Sequence, residues 1–376
     1  MAHTRVLVLG AGFGGLELAT ILSEELGDDA DVTVIDERDS FVFGYSKLDV
    51  MFGISDPDEV RLPYAEFVKP GVRFMRERIT SIDPERRRVA TSVGTYEADV
   101  LVIALGADYD MDATPGLREA NEFYSSAGAE KLRDVLPTFR SGHAIVGVCG
   151  SPYKCPPAPS EAALMLHDYL QKRGVRDDCE ITFVTPMSAP VPPSPDTSAA
   201  LVAAFSERGI AFMPSSLVAR LEGGSAFLAD GTELPCDLFL GVPKHRAPRV
   251  VVESGLATDG GFVEADSRTM ATRFPGVYAV GDVATAGVPK AGMFAEGQAR
   301  VLAAALIARL RGAGDVPAYE GRATCYIEFG AGRVGRVDVD FFSGPKAAGT
   351  YTAPSPTLVA EKQQFGATRR ARWFNR

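Results

Sequence analysis

The apolar residues of the chain fall into short unbroken runs separated by segments of helical periodicity. Residues 5–10 (RVLVLG) are apolar without alternation, which is typical of a strand buried on both faces of a parallel sheet. Residues 16–26 continue with helical spacing, and residues 31–36 (DVTVID) form another apolar run. This order predicts a βαβ unit at 5–36 and an α/β fold.

Further runs predict the rest of the framework. Strands are predicted at 99–106, 143–148, 180–185 and 277–282, and helices at about 160–173, 201–207 and 294–310, the last mostly buried. Short runs at 219–222, 226–228 and 234–240 predict a small sheet with a hairpin turn at Asp230-Gly231. Beyond Gly321 the pattern predicts two strands followed by irregular structure.

A chain of 376 residues is too long for one hydrophobic core. We predict two Rossmann-like domains, the second inserted into the first and degenerate as a nucleotide site, plus a small C-terminal module. The predicted parts are 1–108 and 243–315 (first domain), 109–242 (second domain) and 316–376 (C-terminal module).

Charge and composition exclude several classes of protein. A net charge of −10 argues against a nucleic-acid partner. No apolar run approaches the roughly 18 residues of a membrane helix, and a strand begins almost at the first residue, so we expect no signal peptide and a cytoplasmic location. The 5 cysteines are irregularly spaced without a C-x-x-C pair, so we expect no zinc site, and any disulfide should be catalytic rather than structural.

The first predicted turn carries a dinucleotide motif, G-x-G-x-x-G, between strand and helix. Its glycines would allow a tight turn and close approach to a pyrophosphate, and the acid 21 residues further on would accept a ribose hydroxyl. That acid is Asp36, with Glu37 as the alternative. The residues assigned to the turn are Gly10, Gly12, Phe13, Gly14 and Gly15.

The equivalent turn of the second domain, residues 151–161 (SPYKCPPAPSE), is a poor nucleotide site. Proline offers no N–H to a phosphate, and the strand at 180–185 ends without a ribose-binding acid. The turn instead presents Cys155 at the edge where α/β sheets place their chemistry. A rigid Pro-rich loop with an inert cysteine is the alternative.

Two later segments point to a flavin. A strand ends in Ala104-Leu105-Gly106, and another ends in Gly281-Asp282. With the N-terminal motif, they resemble the two-dinucleotide-binding-domain flavoproteins of the glutathione-reductase fold. The resemblance implies that these residues, with Gly10–Gly15 and Asp36, bind FAD.

Three motifs narrow the resemblance. Cys155 in YKCPPAP followed by Glu161, Cys325 in TCYIEFG, and the PKAG segment containing Lys290 resemble those of sulfide:quinone oxidoreductases and flavocytochrome c sulfide dehydrogenases. The resemblance implies a redox-active disulfide between Cys155 and Cys325 over the flavin, with Cys325 nearer to it. It also implies that Lys290 stabilises the reduced flavin.

The chain lacks the histidines that quinone-type members carry after the strand equivalent to 180–185, and it lacks two cysteines found in parts of that family. Residues 1–147 lack the third functional cysteine of quinone-type members, and 40–48 lack the cysteine that attaches a covalent flavin, so FAD should be non-covalent. Cys149 is expected to end a buried strand, and the alternative is that it pairs with Cys155, six residues further on. Lys154 and the helix behind the loop are expected to lower the pKa of Cys155.

Two acids and one histidine are candidates for proton transfer, and the acids also have a structural interpretation. Glu161 either stabilises the start of its helix or takes protons, and Glu328 raises the same question beside Cys325. His245 is a candidate proton relay near the sulfur site.

The chain ends in a basic and aromatic segment. It suits an anionic membrane surface, or it packs against the body or a dimer partner. Within residues 361–376 the basic residues are Lys362, Arg369, Arg370, Arg372 and Arg376, with Trp373 and Phe374 among them. Candidate walls of a quinone pocket are Phe329, Phe341, Phe342, Trp373 and Phe374.

The predicted function is FAD-dependent oxidation of sulfide or a small sulfur compound to persulfide sulfur, with electrons passed to a quinone or another acceptor. Peripheral membrane contact on the inner face and a homodimer stay open. The alternatives are a type II NADH dehydrogenase or NAD(P)H-dependent disulfide reductase, and a flavin-bound redox sensor.

Overall fold

Helices and strands alternate in the computed structural model much as the sequence predicts, across its described residues 4–29, 31–258, 261–312, 316 and 318–375. The helices are α1 (Phe13–Leu26), α2 (Ser46–Met51), α3 (Ser126–Val135), α4 (Ala158–Lys172), α5 (Pro195–Glu207), α6 (Arg249–Glu253), α7 (Gly292–Arg311) and α8 (Pro356–Phe374).

The strands follow in chain order. They are β1 (Arg5–Leu9), β2 (Asp31–Asp36), β3 (Ser40–Phe41), β4 (Leu62–Pro63), β5 (Val72–Arg76), β6 (Ile79–Asp83), β7 (Arg88–Thr91), β8 (Thr95–Glu97), β9 (Val100–Ile103), β10 (Asp108–Asp110), β11 (Gly142–Val148), β12 (Cys179–Val184), β13 (Ile210–Met213), β14 (Val218–Glu222), β15 (Ser225–Leu228), β16 (Glu233–Pro235), β17 (Leu238–Val242), β18 (Lys244–Arg246), β19 (Val263–Glu264), β20 (Val277–Ala279), β21 (Ala284–Thr285), β22 (Arg322–Glu328), β23 (Val334–Asp340) and β24 (Ala348–Thr352).

The first sheet collects the predicted flavin residues at one edge. Its strands are parallel, in the order β20-β9-β1-β2-β5. Because parallel strands end at the same edge, the residues that follow them meet there: Gly10 after β1, Asp36 at the end of β2, Gly106 beyond β9 and Gly281 beyond β20. Helices α1 and α7 pack against each other beside this sheet.

The second sheet carries the cysteine loop. Its strands are parallel, in the order β13-β12-β11-β17, and Cys155 follows β11. The sequence prediction was wrong for residues 234–240, which we assigned to one strand of the small sheet. Glu233–Pro235 belongs to the small antiparallel sheet β14-β15-β16, whereas Leu238–Val242 joins the parallel sheet. The unbroken apolar run LFLGV suits that buried position.

A short antiparallel ribbon joins the two sheets. β10 pairs with β18, with Tyr109 opposite His245, so the chain enters and leaves the second sheet at one place. This pairing supports our proposed division at residues 108 and 242. The proposed boundary at residue 315 lies outside the described residues.

The C-terminal module differs from the prediction of two strands and irregular structure. β24 completes an antiparallel sheet β22-β23-β24, and the chain then forms the 19-residue helix α8. The Ser355 side chain accepts a hydrogen bond from the Leu358 N–H, and Pro356 occupies the first turn, which together start this helix. Within the described ranges, no helix has the length and apolar character needed to cross a membrane.

Candidate active site

The glycines of the first glycine-rich turn have different structural roles. A Cβ on Gly10, whose φ is 102°, would lie 2.4 Å from the Ala104 carbonyl oxygen. A Cβ on Gly15 would lie 2.0 Å from the Gly10 carbonyl oxygen, and one on Gly14 would press on Val280. A Cβ on Gly12 would meet nothing within 4 Å. Gly10 and Gly15 therefore shape the turn, while Gly12 leaves its backbone open to a ligand.

Asp36, rather than Glu37, is the acid beside this turn. Its buried carboxylate accepts a 2.8 Å hydrogen bond from the Ala11 N–H and a 2.9 Å bond from the Arg38 guanidinium. Burial would raise the pKa of Asp36, but the bonds from Arg38 and Ala11 more than offset this and lower it. Glu37 is directed to Arg78, 3.1 Å away.

The flavin-side segments also fit a dinucleotide. Gly106 has a φ of 68°, and its Cβ position is open. Gly281 and Asp282 form a single turn, and the Gly281 N–H donates to the Gln298 side chain over 2.7 Å. Open backbone at Gly12 and Gly106, an acid at Asp282, and the N-terminal ends of α1 and α7 together match the needs of a dinucleotide cofactor.

The Lys290 ammonium is bound to backbone carbonyl oxygens rather than being free to face a ligand at the carboxyl edge of the first sheet. Its Nζ donates to the carbonyl oxygens of Asp282 (2.6 Å) and Ala284 (3.1 Å) and lies 3.5 Å from the centre of the Phe262 ring. Burial lowers the pKa of Lys290 to about 8. The ammonium braces the Gly281-Asp282 turn, and the Lys290 carbonyl accepts a 2.7 Å bond from the Cys155 N–H.

Cys155 adopts a left-handed backbone conformation, with φ of 51°. This conformation is uncommon for a residue with a side chain and is stabilised only where the surroundings impose it. Besides the bond to Lys290, its carbonyl accepts from the Ala158 N–H at 3.0 Å and from the Tyr124 hydroxyl at 3.4 Å. The loop therefore fixes where the thiol points.

Glu161 links the helix behind this loop to the strand that carries Cys325. It is buried on α4, and its Oε1 accepts a 2.9 Å bond from the Glu328 N–H on β22. Its charge acts on both Cys155 and Cys325, and each cysteine is a free thiol. The structure therefore brings the two predicted cysteines and Glu161 together. The bond from the Glu328 N–H directs the Glu161 carboxyl to β22 rather than to the start of its own helix.

The expected low pKa of Cys155 is wrong. Cys155 keeps exposed surface, but protein atoms close to the sulfur reduce its hydration and raise the pKa of Cys155, and the Glu161 and Cys325 charges raise it further. Burial, then Glu161, raises the pKa of Cys325 to about 12. Burial also raises the pKa of Glu161 to about 7.

Lys154 is directed to Tyr109 and is not among the main charges that act on Cys155. Its Nζ lies 4.7 Å from the centre of the Tyr109 ring and interacts with Tyr109 and Asp282. The lysine whose charge favours the Cys155 thiolate is Lys47. No motif marked Lys47, because a single lysine on a short helix carries no local signal of what it faces.

His245 is buried at the junction of the two sheets. Its Nδ1 lies 2.8 Å from the Pro243 carbonyl oxygen, and its ring meets Tyr109 and Tyr124 edge to face. Burial, then the charge of Lys154, lowers the pKa of His245 to about 3. A ring that stays neutral at neutral pH is a poor proton relay, so these contacts argue against that role.

The glycines of the second turn serve packing. A Cβ on Gly147 would lie 2.5 Å from the Phe239 ring, and one on Gly150 would lie 2.6 Å from the Lys244 Cβ. Cys149 is buried beside them in a separate core cluster, where burial raises its pKa to about 12. Its prediction as a buried strand end is confirmed.

The basic and aromatic segment packs on the first domain as α8. Trp373 and Phe374 are buried, and the Trp373 indole N–H donates to Glu17 over 2.9 Å. Arg369 pairs with Glu296 at 2.7 Å, and Lys362 pairs with Glu328. Arg376 lies outside the described residues.

Of the predicted walls of a quinone pocket, Phe329, Trp373 and Phe374 are buried, whereas Phe341 and Phe342 keep partly exposed surface. Phe341 contacts Phe294, Phe342 contacts Tyr319, and Phe329 is buried against Tyr351. Tyr326, next to Cys325, and Phe365 also keep partly exposed surface, and their ring centres are 6.3 Å apart.

Comparison with known proteins agrees with this geometry. The family model described as pyridine nucleotide-disulphide oxidoreductase matches residues 4–304. The mitochondrial sulfide:quinone oxidoreductase of Mus musculus is 23% identical over 91% of this chain and 79% of its own. The solved sulfide:quinone oxidoreductase of Aquifex aeolicus superposes with a TM-score of 0.87 at 24% identity, over 98% of this chain and 91% of its own. The type II NADH:quinone oxidoreductase of Staphylococcus haemolyticus is 32% identical over 31% of this chain and 29% of its own.

Proposed function

The chain belongs to the pyridine nucleotide-disulphide oxidoreductase family, and we propose that it is a flavoenzyme that oxidises sulfide and passes the electrons to a quinone or another acceptor. The observation that carries the proposal is that Cys155 and Cys325, distant in sequence, both lie close enough to the buried carboxyl of Glu161 for its charge to act on them, and that the Cys325 charge acts on Cys155. The similarity to sulfide:quinone oxidoreductases over most of the chain supports the same substrate and acceptor.

FAD is the cofactor of this family, and the first sheet offers the residues to hold it. The open backbone at Gly12 would approach the pyrophosphate, and Asp36 would lie on the ribose side of the turn. Asp282 and the start of α7 would hold the flavin end. Bound FAD would supply a two-electron acceptor for the cysteine pair.

The cysteines would perform thiol–disulfide exchange. Hydrosulfide attacks one sulfur of a Cys155–Cys325 disulfide, so an S–S bond forms to the incoming sulfur while the S–S bond between the cysteines breaks. One cysteine becomes a persulfide, and the other leaves as a thiolate that carries the electron pair. We propose persulfide sulfur as the product. The fixed backbone of Cys155, held by Lys290 and Tyr124, would keep the attacked sulfur in place.

Glu161 is the proposed proton acceptor. Its pKa of about 7 lets it change charge near neutral pH, and it acts on both sulfurs. It would take the proton released when hydrogen sulfide becomes hydrosulfide, and its bond to the Glu328 N–H would keep it oriented.

The rival function is NADH oxidation, favoured by the local similarity to a type II NADH:quinone oxidoreductase. That function needs a nucleotide turn after β11. The space at Gly147 and Gly150 is taken by neighbouring side chains, and three prolines follow in the turn. These features support sulfide rather than NADH as the reductant.

Anaerobic titration of the FAD-loaded protein with sulfide and, separately, with NADH tests the proposal. Flavin absorbance is followed in both. We expect sulfide to bleach the flavin and NADH to leave it oxidised at equal concentration. Rapid bleaching by NADH alone would assign the rival function, and bleaching by sulfide without sustained turnover in the presence of a water-soluble quinone would indicate a redox sensor.

A further inference from the structure

Lys47 lies near the Cys155 loop and makes a contact there that sequence reasoning did not find. It sits on α2, and its Nζ donates a 2.5 Å hydrogen bond to the Tyr124 carbonyl oxygen. The same carbonyl accepts a 2.7 Å bond from the Tyr109 hydroxyl. The Tyr124 hydroxyl in turn donates to the Cys155 carbonyl at 3.4 Å. Lys47 is thus tied to the residue that helps to position the cysteine loop.

The ammonium of Lys47 has no carboxylate within ion-pair distance in the part of the chain that the structure describes. Salt bridges of the crevice instead engage other cations: Arg38 pairs with Asp36, and Lys362 pairs with Glu328. Lys154 interacts with the Tyr109 hydroxyl and with the charge of Asp282. The Glu122 charge also acts on Lys47 and raises its pKa, but no ion pair among the described residues engages the ammonium, so Lys47 can compensate negative charge that forms on the sulfur.

Electrostatic coupling between Lys47 and Cys155 is mutual. The Cys155 charge raises the pKa of Lys47, and the Lys47 charge lowers the pKa of Cys155. Burial dominates both groups, and it lowers the pKa of Lys47 to about 7. Other charged and titratable groups that face the pair are Arg38, Glu122, Tyr124, Lys154, Glu161 and Cys325.

We propose that Lys47, anchored on the Tyr124 carbonyl, is the counter-cation of the anionic sulfur at Cys155. The inference deepens the proposed function and rests on it for the identity of the anion, a thiolate or a persulfide anion. Its role is electrostatic, since a nearby ammonium favours the charged form of sulfur most strongly where water is excluded.

The test uses the reduced, FAD-loaded protein and needs no sulfide. The rate of Cys155 alkylation by iodoacetamide is measured from pH 6 to pH 9, with the modified peptide identified by mass spectrometry. Lys47→Met is compared with Lys47→Arg and with Lys131→Met, a matched control whose lysine also donates to a backbone carbonyl, that of Ala120 at 2.7 Å, on an exposed site. Flavin absorbance verifies folding of each variant.

At pH 6 we expect Lys47→Met to slow alkylation roughly tenfold, which corresponds to about one unit of thiol pKa. Lys47→Arg should recover most of the rate, and Lys131→Met should match the wild type. The difference should vanish above pH 8, because Lys47 loses its proton as the pH rises through its own pKa of about 7.

An unchanged rate in Lys47→Met at pH 6 would overturn the inference, as would slowing by Lys154→Met in its place. Sulfide titration of the wild type decides the proposed function separately. A protein that fails with sulfide but shows the Lys47 effect would keep the electrostatic role and lose the substrate.

Discussion

Cys155 and Cys325 are held in place by different parts of the chain, so each can be removed without disturbing the fold. Cys155 follows β11 with its backbone fixed from Lys290, whereas Cys325 lies in the middle of β22 opposite Val337. We expect Cys155→Ser and Cys325→Ser each to lower the sulfide-dependent rate of flavin reduction by at least about 1,000-fold, because exchange needs both sulfurs. Stopped-flow absorbance measures the rate.

Cys149→Ser is the matched control for both substitutions. Its sulfur lies in a separate core cluster, so most activity should remain once the small loss of stability is allowed for. Full activity in Cys325→Ser would remove that residue from the mechanism and leave Cys155 to act with another partner.

The raised pKa of Glu161 should make the free energy of unfolding depend on pH. Its pKa is raised from 4.5 to about 7 in the folded protein, so between these values the folded state holds a proton that the unfolded chain releases. The free energy of unfolding should therefore fall as the pH rises from 4.5 through 7, by on the order of 3 kcal/mol in total. Glu161→Gln should remove this fall, measured by urea denaturation at pH 5 and pH 8.

The exposed Glu207 provides the control, because Glu207→Gln should keep the wild-type pH dependence. The same Glu161→Gln variant should also lose any rise in the rate of sulfide oxidation near pH 7. An unaltered fall in stability in this variant would show that other groups cause the pH dependence.

Sequence reasoning found the residues whose neighbours along the chain carry the signal. The dinucleotide turn and the cysteine loop are motifs of adjacent residues, and Asp36 follows at a fixed distance. Lys47 and Tyr124 carry no such signal, because their importance comes from one carbonyl contact made in three dimensions. The direction of the Cys155 pKa was also missed, since the extent of burial cannot be seen in the residues next to it.

At the scale of elements, unbroken apolar runs identified β1, β2, β9, β11, β12 and β20 of the two larger parallel sheets, because strands buried on both faces need apolar residues throughout. The runs of β5 and β13 were not predicted as strands, and β17 was assigned to the small sheet. The helix α8 was missed. Its sequence contains Gly366 and polar residues such as Gln363 and Thr368, and it lacks a clear amphipathic pattern. Such a helix is stabilised by what it packs against rather than by its own propensity.

Trp373 is a large, fully buried side chain in that packing. Its buried ring contacts Phe13, Phe41 and Phe43 of the first domain, with centres 5.6 to 6.2 Å away. We expect Trp373→Ala to lower the free energy of unfolding by about 3–5 kcal/mol. FAD affinity should fall as well, because Phe13 begins α1 directly after the open glycine turn. Equilibrium denaturation and release of flavin on dilution measure the two effects.

Phe365→Ala is the control on the same helix. Because Phe365 is partly exposed, this substitution should lower the free energy of unfolding less than Trp373→Ala and leave FAD affinity unchanged. The chain has 1 tryptophan, Trp373, so tryptophan fluorescence reports directly on the packing of α8 in the unmodified protein. Wild-type FAD affinity in a stable Trp373→Ala protein would separate the helix from the cofactor turn.

Taken as a whole molecule, the chain builds one site from three separate parts. The first domain supplies the dinucleotide edge and Lys47 on α2, the second domain supplies Cys155 and Glu161, and the C-terminal module supplies Cys325. The bond from the Glu328 N–H to Glu161 joins the last two parts, and the Cys155 N–H bond to Lys290 joins the first two. A change in the packing of any part should therefore reach the cysteine pair.

The charges of the whole molecule bear on membrane contact. The chain carries a net charge of −10, and the cations of α8 are largely paired with acids of the body: Arg369 with Glu296, and Arg372 with Glu17 and Glu24. The aromatic residues expected to enter lipid, Trp373 and Phe374, are buried. The segment therefore offers little free positive charge or apolar surface to an anionic bilayer.

We accordingly expect the protein to bind vesicles of anionic lipid no better than neutral vesicles, even at low ionic strength where attraction between charges is strongest. Vesicle sedimentation measures this, and reduction of a water-soluble quinone by sulfide should proceed equally with and without vesicles. Removal of residues 367–376 should release FAD rather than alter sedimentation, because it takes away Trp373. Binding that salt abolishes and that Arg369→Gln and Arg372→Gln weaken would instead make α8 a membrane contact, with its ion pairs opening at the lipid surface.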